Sequence, residues 1–253
     1  MLEINKIHQG DCLALMPSIP DKSIDMILCD LPYGTTACEW DSIIDMGKLW
    51  TQYERVIKDN GAIVLTANAH FVFTLYASNP ALYRYKWVWE KTCPYRFFLA
   101  HKMPLSQHED ILIFYKKLPT YNPQMRTGYS AYKRNDTRTE NKRETIKLKP
   151  KPMIRESDGG RFPIDIIRVA NGNSNSLHPT QKPVPLFEYL IKTYTNEGEV
   201  VLDNCSGSGT TAIACINANR RYICIEQSEE YVRRSRERIE NHEPLLQLIG
   251  GEK

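Results

Sequence analysis

Short apolar runs alternate along the chain with segments whose apolar residues recur at helical spacing. The runs end at turn signals or acidic residues and predict strands over residues 25–29, 62–65, 85–89, 110–115, 200–202 and 222–225. The helical stripes predict helices over residues 49–57, 185–194, 210–218 and 228–239. Pro185 suits the first turn of the second helix, and Ser228 can cap the last one. Strands that alternate with helices in this way indicate an α/β fold, with a mostly parallel sheet and helices on both of its faces.

The composition excludes several broad classes of protein. Charged residues make up 25% of the chain and aromatic residues 10%, which is typical of a globular protein and not of a disordered one. No apolar run approaches the roughly 18–20 residues that span a bilayer, and the N-terminus lacks the apolar segment of an export signal. The seven cysteines include no C-x-x-C pair, so we expect neither a disulfide framework nor a metal site. These features favour a cytoplasmic protein without a membrane segment.

Positive charge is concentrated in one part of the chain. Between Lys116 and Arg155, twelve basic residues accompany only three acidic ones, a net charge of +9 within a chain whose total is +3. Tyrosines are interleaved with these basic residues, and prolines flank them. Such a segment attracts a polyphosphate backbone, because each basic contact releases a condensed counterion. A solvated surface loop can have the same composition, so charge alone does not decide its role.

The loop from Asp203 to Thr211 lies between a predicted strand and a predicted helix and contains a G-x-G pair. Gly207 and Gly209 allow a tight turn and a close approach of the backbone to a ligand. Glu226 ends the next predicted strand, where its carboxylate can accept both hydroxyls of a ribose. These features predict a pocket for a nucleoside cofactor, but they do not distinguish NAD from S-adenosylmethionine. A glycine turn of this kind also occurs without any ligand.

A second loop, Asp30-Leu-Pro-Tyr-Gly, follows the predicted strand over 25–29, at the carboxyl end where open α/β sheets bind ligands. Pro32 restricts Leu31 to extended conformations. The Asp30 carboxylate and the Leu31 carbonyl can then accept hydrogen bonds from one exocyclic amino group, while Tyr33 offers a face on which a planar base can stack. This arrangement suits an amine nucleophile, although an ordinary capped turn is the simpler interpretation of the loop taken alone.

Together these motifs resemble those of the DNA amino-methyltransferases that use S-adenosylmethionine, whose signatures are [DNS]-P-P-[YFW] and F-x-G-x-G. Here the catalytic motif comes first and the glycine loop last, an order similar to that of the β-class, which includes small phage-borne adenine methylases. Three further stretches match: Gly10-Asp-Cys-Leu, His108-Glu-Asp-Ile-Leu-Ile-Phe-Tyr-Lys and His178-Pro-Thr-Gln-Lys-Pro. The resemblance covers about the whole chain. It implies a Rossmann-like methyltransferase fold with a circularly permuted motif order and an inserted target-recognition region.

The resemblance also implies a role for each motif residue. The catalytic residues are Asp30, Leu31, Pro32 and Tyr33. Cofactor contacts are expected from Asp11, Cys12, Asp30, Thr180, Lys182, Asp203, Ser206, Gly207, Gly209 and Glu226. Asp11 would bind the adenine amino group of the cofactor and Glu226 its ribose, while Thr180 and Lys182 would cover the methionine carboxylate. Asp11 could instead be a helix cap, and Lys182 could be a surface charge.

The same resemblance assigns DNA reading to the basic segment. The predicted domains are a catalytic domain over 1–115 and 161–253 and a target-recognition insert over 116–160. Contacts with double-stranded DNA are expected from Lys116, Lys117, Arg126, Lys133, Arg134, Arg138, Lys142 and Arg143. The target base would be flipped out of the duplex, because its amino group is inaccessible within the stack. Relatives of the β-class are often dimers, so a homodimer and a cognate restriction endonuclease are further candidate partners.

Two motif positions depart from the family pattern. Leu31 stands where the second proline is usual, which keeps the carbonyl acceptor but loosens the turn. Asn204 and Cys205 stand where Pro-Phe is usual, which removes an aromatic contact with the cofactor. We therefore expect an effect on cofactor affinity.

The resemblance implies transfer of a methyl group from S-adenosylmethionine to the exocyclic N6 of a flipped-out adenine in double-stranded DNA. Several alternatives to adenine-N6 methylation remain open. Cytosine-N4 enzymes share the architecture, and their catalytic motif usually begins with Ser, so Asp30 favours adenine. Methylation of RNA or of protein glutamine fits the motif order less well. An NAD-dependent oxidoreductase would explain the glycine loop but would leave Asp30 to Tyr33 and the basic segment unexplained. A DNA-binding protein without catalysis would explain only the basic segment.

Overall fold

The computed structural model describes residues 1–34, 43–136, 153–171 and 181–242, and side chains in these ranges except those of 134–136 and 153–155. The chain divides into two compact units. The larger unit comprises residues 1–122 and 165–253, and the smaller unit comprises residues 123–164.

An eight-stranded sheet forms the centre of the larger unit within the described residues. The strands of the chain are β1 (Lys6–Gln9), β2 (Ile24–Cys29), β3 (Ile57–Ala67), β4 (Tyr83–Tyr95), β5 (Ser106–Phe114), β6 (Tyr132–Asp136), β7 (Met153–Ser157), β8 (Ile166–Arg168), β9 (Val200–Asp203) and β10 (Arg221–Glu226). The order across the large sheet is β1-β10-β9-β2-β3-β5-β4-β8. Every neighbouring pair is parallel except the two pairs made by β5, which runs against both β3 and β4.

Side chains alternate between two hydrophobic cores, one on each face of this sheet. Met26 and Leu28 of β2 point into one core, while Ile27 and Cys29 point into the other, as the two-residue period of a strand requires. The helices are α1 (Cys12–Leu15), α2 (Met46–Val56), α3 (His70–Ser78), α4 (Val184–Tyr194), α5 (Thr210–Asn217) and α6 (Glu229–Glu240). The buried apolar residues of α4 and α6 belong to the first core, as do Ala212, Ala214 and Cys215 of α5, and the buried residues of α1, α2 and α3 belong to the second.

The α/β fold with a mostly parallel sheet and helices on both faces is therefore confirmed. Each predicted strand lies within or overlaps an observed one, and each predicted helix overlaps α2, α4, α5 or α6. Ile57 was expected in the helix, but it begins β3. The remaining elements were not predicted: β1, β6, β7, β8, α1 and α3.

The smaller unit contains the hairpin of β6 and β7, which pair antiparallel from Tyr132 with Ser157 to Asp136 with Met153. Arg161 stabilises this unit: its guanidinium donates to the Ser130 carbonyl at 2.8 Å and to the Ser157 hydroxyl at 2.6 Å. The same guanidinium lies over the rings of Tyr129 and Tyr132, with its carbon 5.4 Å and 4.7 Å from their centroids. A cavity of about 670 Å³ lies beside this cluster and is lined by residues including Tyr132, Lys133 and Arg161.

Among the residues that the structure describes, no helix has the length and apolarity needed to cross a membrane.

Candidate active site

The polar loops of the larger unit meet at one edge of the sheet. Strands β1, β10, β9, β2 and β3 are parallel, so their carboxyl ends lie along the same edge. Gln9 pairs with Glu226 and Cys224 with Asp203, which aligns the ends of β1, β10 and β9. Cys29 pairs with Leu65, which places Asp30 beside the end of β3. Register therefore brings together residues that are up to about two hundred positions apart in the sequence.

The glycine loop turns sharply between β9 and α5. Gly207 and Gly209 have φ values of +50° and +76°, which favour glycine. A Cβ on Gly209 would lie 2.9 Å from the Cβ of Ser235 on α6, so a side chain there would also clash. The Ser206 amide donates to the Ile225 carbonyl at 3.0 Å, which holds the loop against the end of β10.

Glu226 is fixed by two backbone amides of neighbouring loops. Its carboxylate accepts hydrogen bonds from the amides of Gly207 and Ser228, both at 2.8 Å. Burial raises the pKa of Glu226, and these amide donors oppose that shift only in part. A carboxylate has about four acceptor positions, and the Gln227 amide also acts on this one, so the amides leave room for a further donor such as a ribose hydroxyl.

Asp203, the last residue of β9, stabilises the glycine loop that follows it. It is buried, and it accepts hydrogen bonds from the Cys205 amide at 3.1 Å and from the Thr211 hydroxyl. Burial raises the pKa of the Asp203 carboxyl to about 7, against the opposing effect of the Thr211 hydroxyl. Asp203 thus joins its own loop to α5, and it also interacts with the Cys29 thiol of β2.

Asp11 and Cys12 follow β1 at the same edge. The Asp11 carboxylate accepts a hydrogen bond from the Ala14 amide at 2.9 Å, so Asp11 does cap α1, and the Gly10 amide donates to the Glu226 carbonyl at 2.9 Å. The Cys12 thiol is buried and interacts with that of Cys205. Asp11 therefore lies beside Glu226 whether or not it also contacts a ligand.

Asp30 is held by three side-chain donors. The Tyr33 hydroxyl donates to Oδ1 at 2.6 Å, the Thr66 hydroxyl donates to the same oxygen, and Lys182 Nζ lies 2.6 Å from Oδ2. Burial, together with the charges of Asp30 and Glu109, raises the pKa of Tyr33 well above its usual value, so this tyrosine stays a neutral donor. The carboxylate side chain itself remains 22% exposed, which leaves it accessible at the edge of the sheet.

A chain of alternating charges continues inward from Asp30. Lys182 Nζ also lies 3.4 Å from Glu109 Oε2, and Lys91 Nζ lies 2.6 Å from Glu109 Oε1. Burial lowers the pKa of Lys182, but the carboxylates of Asp30 and Glu109 outweigh that effect, so the pKa is raised overall. Lys182 is only 7% exposed, and the surface-charge interpretation of this residue is wrong. Two cations and two anions thus balance one another at this edge.

Sequence reasoning did not assign Thr66, Lys91 or Glu109 to the site. Glu109 lies in the quoted His108-Glu-Asp stretch, so its motif was visible but its partners were not. The available signal was an acidic residue just before the apolar run of β5, because a carboxylate that is buried there needs a charged partner.

Both departures from the family pattern have local contacts. The side chain of Leu31 is 2% exposed and packs in the second core. Asn204 is also buried, and its Oδ1 accepts a hydrogen bond from the Tyr53 hydroxyl on α2 at 2.5 Å. A hydrogen bond therefore holds this part of the loop where the family usually has Pro-Phe.

The predicted DNA contacts fall in both units. Lys116 and Lys117 belong to the larger unit, where they pair with Glu54 at 3.7 Å and Asp59 at 2.8 Å. Arg126 donates to the Phe162 carbonyl at 3.1 Å and Lys133 pairs with Glu156 at 3.2 Å, both in the smaller unit. Arg138, Lys142, Arg143 and Thr180 lie outside the described residues, as does the side chain of Arg134.

The fold is α/β, and the glycine loop, Glu226 and Asp30 lie at the same carboxyl edge of its sheet. A family model described as DNA methylase matches residues 24–237, which is most of the chain. The chain therefore belongs to the DNA methylase family of N6/N4 methyltransferases.

Individual relatives agree with this assignment. The chain is 28% identical over 271 aligned residues to the type II methyltransferase M2.MboI of Moraxella bovis. The alignment covers 95% of this chain and 89% of that protein. The M1.HpyAVI–SAM complex matches with a TM-score of 0.62 and 22% identity, over 92% of this chain and 98% of that one. The cytosine-N4-specific PvuII DNA methyltransferase matches with a TM-score of 0.64 and 16% identity, over 94% and 87%. At these identities the two structures show a shared fold.

We predict that Glu109→Gln lowers the free energy of unfolding by about 3 kcal/mol, because it leaves the buried Lys182 and the partly buried Lys91 without their shared anion. Glu237→Gln is the control: its pair with Arg233 has a similar length, 2.7 Å, but both side chains are more than half exposed. That change should cost less than about 1 kcal/mol. Urea unfolding measures both, and equal small losses would contradict the importance of the buried pairs.

We also predict a pH-dependent effect of Asp203→Asn on stability. A carboxyl whose pKa is raised from 3.8 to about 7 on folding binds its proton more tightly in the native state, so its contribution is present at low pH and is lost as the pH rises through this range. The asparagine variant does not titrate there. Its stability relative to the wild type should therefore increase between pH 4 and 7, by roughly 2–4 kcal/mol. A difference that is independent of pH would show that Asp203 titrates normally.

Proposed function

We propose that this protein transfers a methyl group from S-adenosylmethionine to the exocyclic N6 of an adenine flipped out of double-stranded DNA. The observation that carries the proposal is the Asp30 carboxylate, which is accessible at the carboxyl edge of the sheet and fixed by Tyr33, Thr66 and Lys182. Membership of the N6/N4 family supports the reaction class.

The glycine loop and its neighbours fit the cofactor. The Ser206 hydroxyl is buried and has no hydrogen-bond partner among the described residues, as expected of a group that serves a ligand. Glu226 keeps acceptor positions for ribose hydroxyls beside it. When bound, S-adenosylmethionine supplies a methyl group on a sulfonium. Asp11, Cys12, Thr180, Asp203, Gly207 and Gly209 keep their expected roles in this proposal.

In this proposal Lys182 lies between S-adenosylmethionine and the target base. Its ammonium has three donors, of which two can be directed at Asp30 and Glu109. The third can bind the methionine carboxylate, the contact that the motif implies. Lys182 then links cofactor binding to the orientation of Asp30.

Asp30 and Leu31 act on the target amine. An amine conjugated to its ring is a weak nucleophile, and hydrogen bonds from its two protons to the Asp30 carboxylate and the Leu31 carbonyl localise the lone pair on nitrogen. The nitrogen attacks the methyl carbon in line, the carbon–sulfur bond breaks, and the methylated amine then releases one proton. Positioning and electrostatic stabilisation supply most of the rate.

Tyr33 is the proposed stacking partner of the flipped base. Its ring is supported by Phe71, with centroids 4.8 Å apart and planes inclined by 31°, and its hydroxyl is tied to Asp30. This anchoring keeps the ring rigid, so little side-chain entropy is lost when a base stacks on it.

Methylation of cytosine N4 is the second candidate, because one structural neighbour is a cytosine-N4-specific enzyme and the acceptor geometry suits both amines. Asp30 at the head of the motif favours adenine.

The basic insert over 116–160 is the proposed target-recognition region, with phosphate and base contacts from its lysines and arginines.

A type II relative supports a restriction–modification setting with a cognate endonuclease, and a homodimer is the proposed assembly. The free thiols of the described cysteines support action in the reducing cytoplasm.

The identity of the product tests the proposal directly. Unmethylated plasmid DNA is incubated with the protein and methyl-labelled S-adenosylmethionine, digested to nucleosides and analysed by mass spectrometry. We expect N6-methyladenine. N4-methylcytosine as the sole product would overturn the adenine assignment but not the mechanism, and label found only in RNA or protein would overturn both.

We predict that Asp30→Asn lowers the methylation rate by about 10²–10³-fold, because an anionic acceptor of the target amine becomes neutral. The variant keeps an oxygen for the Tyr33 and Thr66 hydroxyls but removes one of the two anions beside the buried Lys182, so its melting temperature should fall while its DNA affinity changes little. Both proteins are therefore compared at a temperature at which the variant is folded. Single-turnover methylation measures the effect. Near wild-type turnover would mean that Asp30 is only a turn residue.

We predict that replacing Arg138, Lys142 and Arg143 together with glutamine weakens DNA binding and reduces its salt dependence. Each lost phosphate contact should lower the slope of log Kd against log salt by about 0.9. Replacing the exposed Lys6, Lys22 and Lys48 in the same way is the control and should leave the slope unchanged. An unchanged slope in the first variant would place the DNA surface elsewhere.

A further inference from the structure

The hairpin between β4 and β5 extends beyond the catalytic edge of the sheet. Asp110 of β5 pairs with Ala67 at the end of β3 on one side and with Val88 of β4 on the other. Strand β4 runs parallel to β3 and continues past Val88 to Tyr95 before the chain turns back. Residues 96–103, here called the hairpin tip, therefore lie beyond the same edge of the sheet as Asp30, the edge at which β3 ends.

The base of this hairpin is joined to the catalytic edge. The Asn68 side chain donates to the Tyr95 hydroxyl at 2.8 Å, and that hydroxyl donates to the His108 carbonyl at 3.2 Å. Lys91 Nζ lies 4.1 Å from the centroid of the Tyr95 ring. Asn68 is two residues after Thr66, which contacts Asp30. A short series of contacts thus fixes the hairpin next to the reaction site.

The hairpin tip exposes large apolar side chains. Phe97 is 64% exposed and Phe98 is 82% exposed, and Met103 across the tip is 50% exposed. Arg96 has a φ of +66°, so the backbone turns tightly just before the two phenylalanines. Two adjacent aromatic side chains in water are unfavourable for a protein unless a partner covers them.

The charge around the tip favours a polyanionic partner. From residue 92 to residue 108 the sequence contains no acidic residue, while Arg96 and Lys102 are basic. Apolar side chains at the end of a basic hairpin match a DNA duplex, whose base steps accept an inserted apolar side chain while its phosphates attract the flanking cations.

We propose that Phe97 and Phe98 insert into the DNA duplex beside the extruded base and occupy the space that it leaves in the stack. This inference rests on the proposed function, since it requires a target base that leaves the duplex. Extrusion breaks stacking on both sides of the base, and an aromatic ring restores part of it. The hairpin tip then stabilises the flipped state, while Asp30 and Tyr33 act on the base itself.

The test compares paired and unpaired target bases. Sequencing of modified bases in plasmid DNA defines the target site, and two 30-base-pair duplexes carry it, one with the target base paired and one with an abasic position opposite it. Phe97→Ala/Phe98→Ala should lower kcat/KM on the paired duplex by about tenfold or more, because the flipped state loses its stacking partner. On the abasic duplex, where extrusion breaks no base pair, the variant should recover to within about threefold of the wild type.

Matched variants exclude general effects. Phe98→Trp keeps a large aromatic ring and should retain most activity on the paired duplex. Ile4→Ala removes another exposed apolar side chain, 41% exposed, which precedes β1 at the opposite edge of the sheet, and should behave as the wild type on both duplexes. A 2-aminopurine at the target position should fluoresce strongly with the wild type and weakly with the double alanine variant.

Three outcomes would overturn the inference. Equal activity of the double alanine variant and the wild type on the paired duplex would show that the tip does not assist extrusion. An equal loss on both duplexes would assign it to general DNA binding, and conversion of a dimer to a monomer by the double substitution would identify a second copy of the chain as the partner. Failure of the wild type to methylate any duplex would instead reject the proposed function, and this inference with it.

Discussion

The ion pair between Asp30 and Lys182 joins the proposed reaction site to the rest of the larger unit. A carboxylate that is mostly removed from water needs compensating charge or donors, and Asp30 receives both from Lys182, Tyr33 and Thr66. Lys182 would itself be costly to bury beside a single anion, and Glu109 shares its charge. Because these groups come from separate segments of the chain, the balance exists only when β2, β3, β5 and the segment before α4 are all in place.

Parallel strands explain how so many polar loops reach this site. Each strand that runs in the same direction delivers its following loop to the same edge, so β1, β10, β9 and β2 contribute Asp11, Glu226, the glycine loop and Asp30 in turn. The antiparallel β5 works in the opposite way: it brings Glu109 to the edge at its amino end. Because β5 is antiparallel to its neighbours, it places the Glu109 carboxylate at this edge, where the end of a parallel strand would have placed a loop.

Sequence periodicity predicted the elements whose apolar residues coincide with the buried positions and missed those in which the two do not coincide. Strand β1 buries only Ile7 of its four residues, so no apolar run marks it. Helix α3 buries Phe71 and Leu75 but exposes Phe73 and Tyr76, and its apolar residues cover all faces. Motif residues such as Asp30 and Glu226 could be found because their chemistry is local in sequence. Glu109 and Lys91 could not, because Glu109 pairs with Lys182, 73 positions further along the chain, and Lys91 pairs with Glu109 on the neighbouring strand.

The substitution of Asn-Cys for the usual Pro-Phe shows how this edge tolerates change. Proline would fix the loop through its own ring, whereas Asn204 is fixed by the Tyr53 hydroxyl of α2, so the restraint has moved from the covalent backbone to a tertiary hydrogen bond. Tyr53 is fully buried, and burial raises its pKa well above the usual value, so it remains a neutral donor. The loop that follows Asp203 therefore depends on the packing of α2 against the sheet. Stability of the second core and the geometry of the glycine loop are coupled in this chain, through one buried tyrosine.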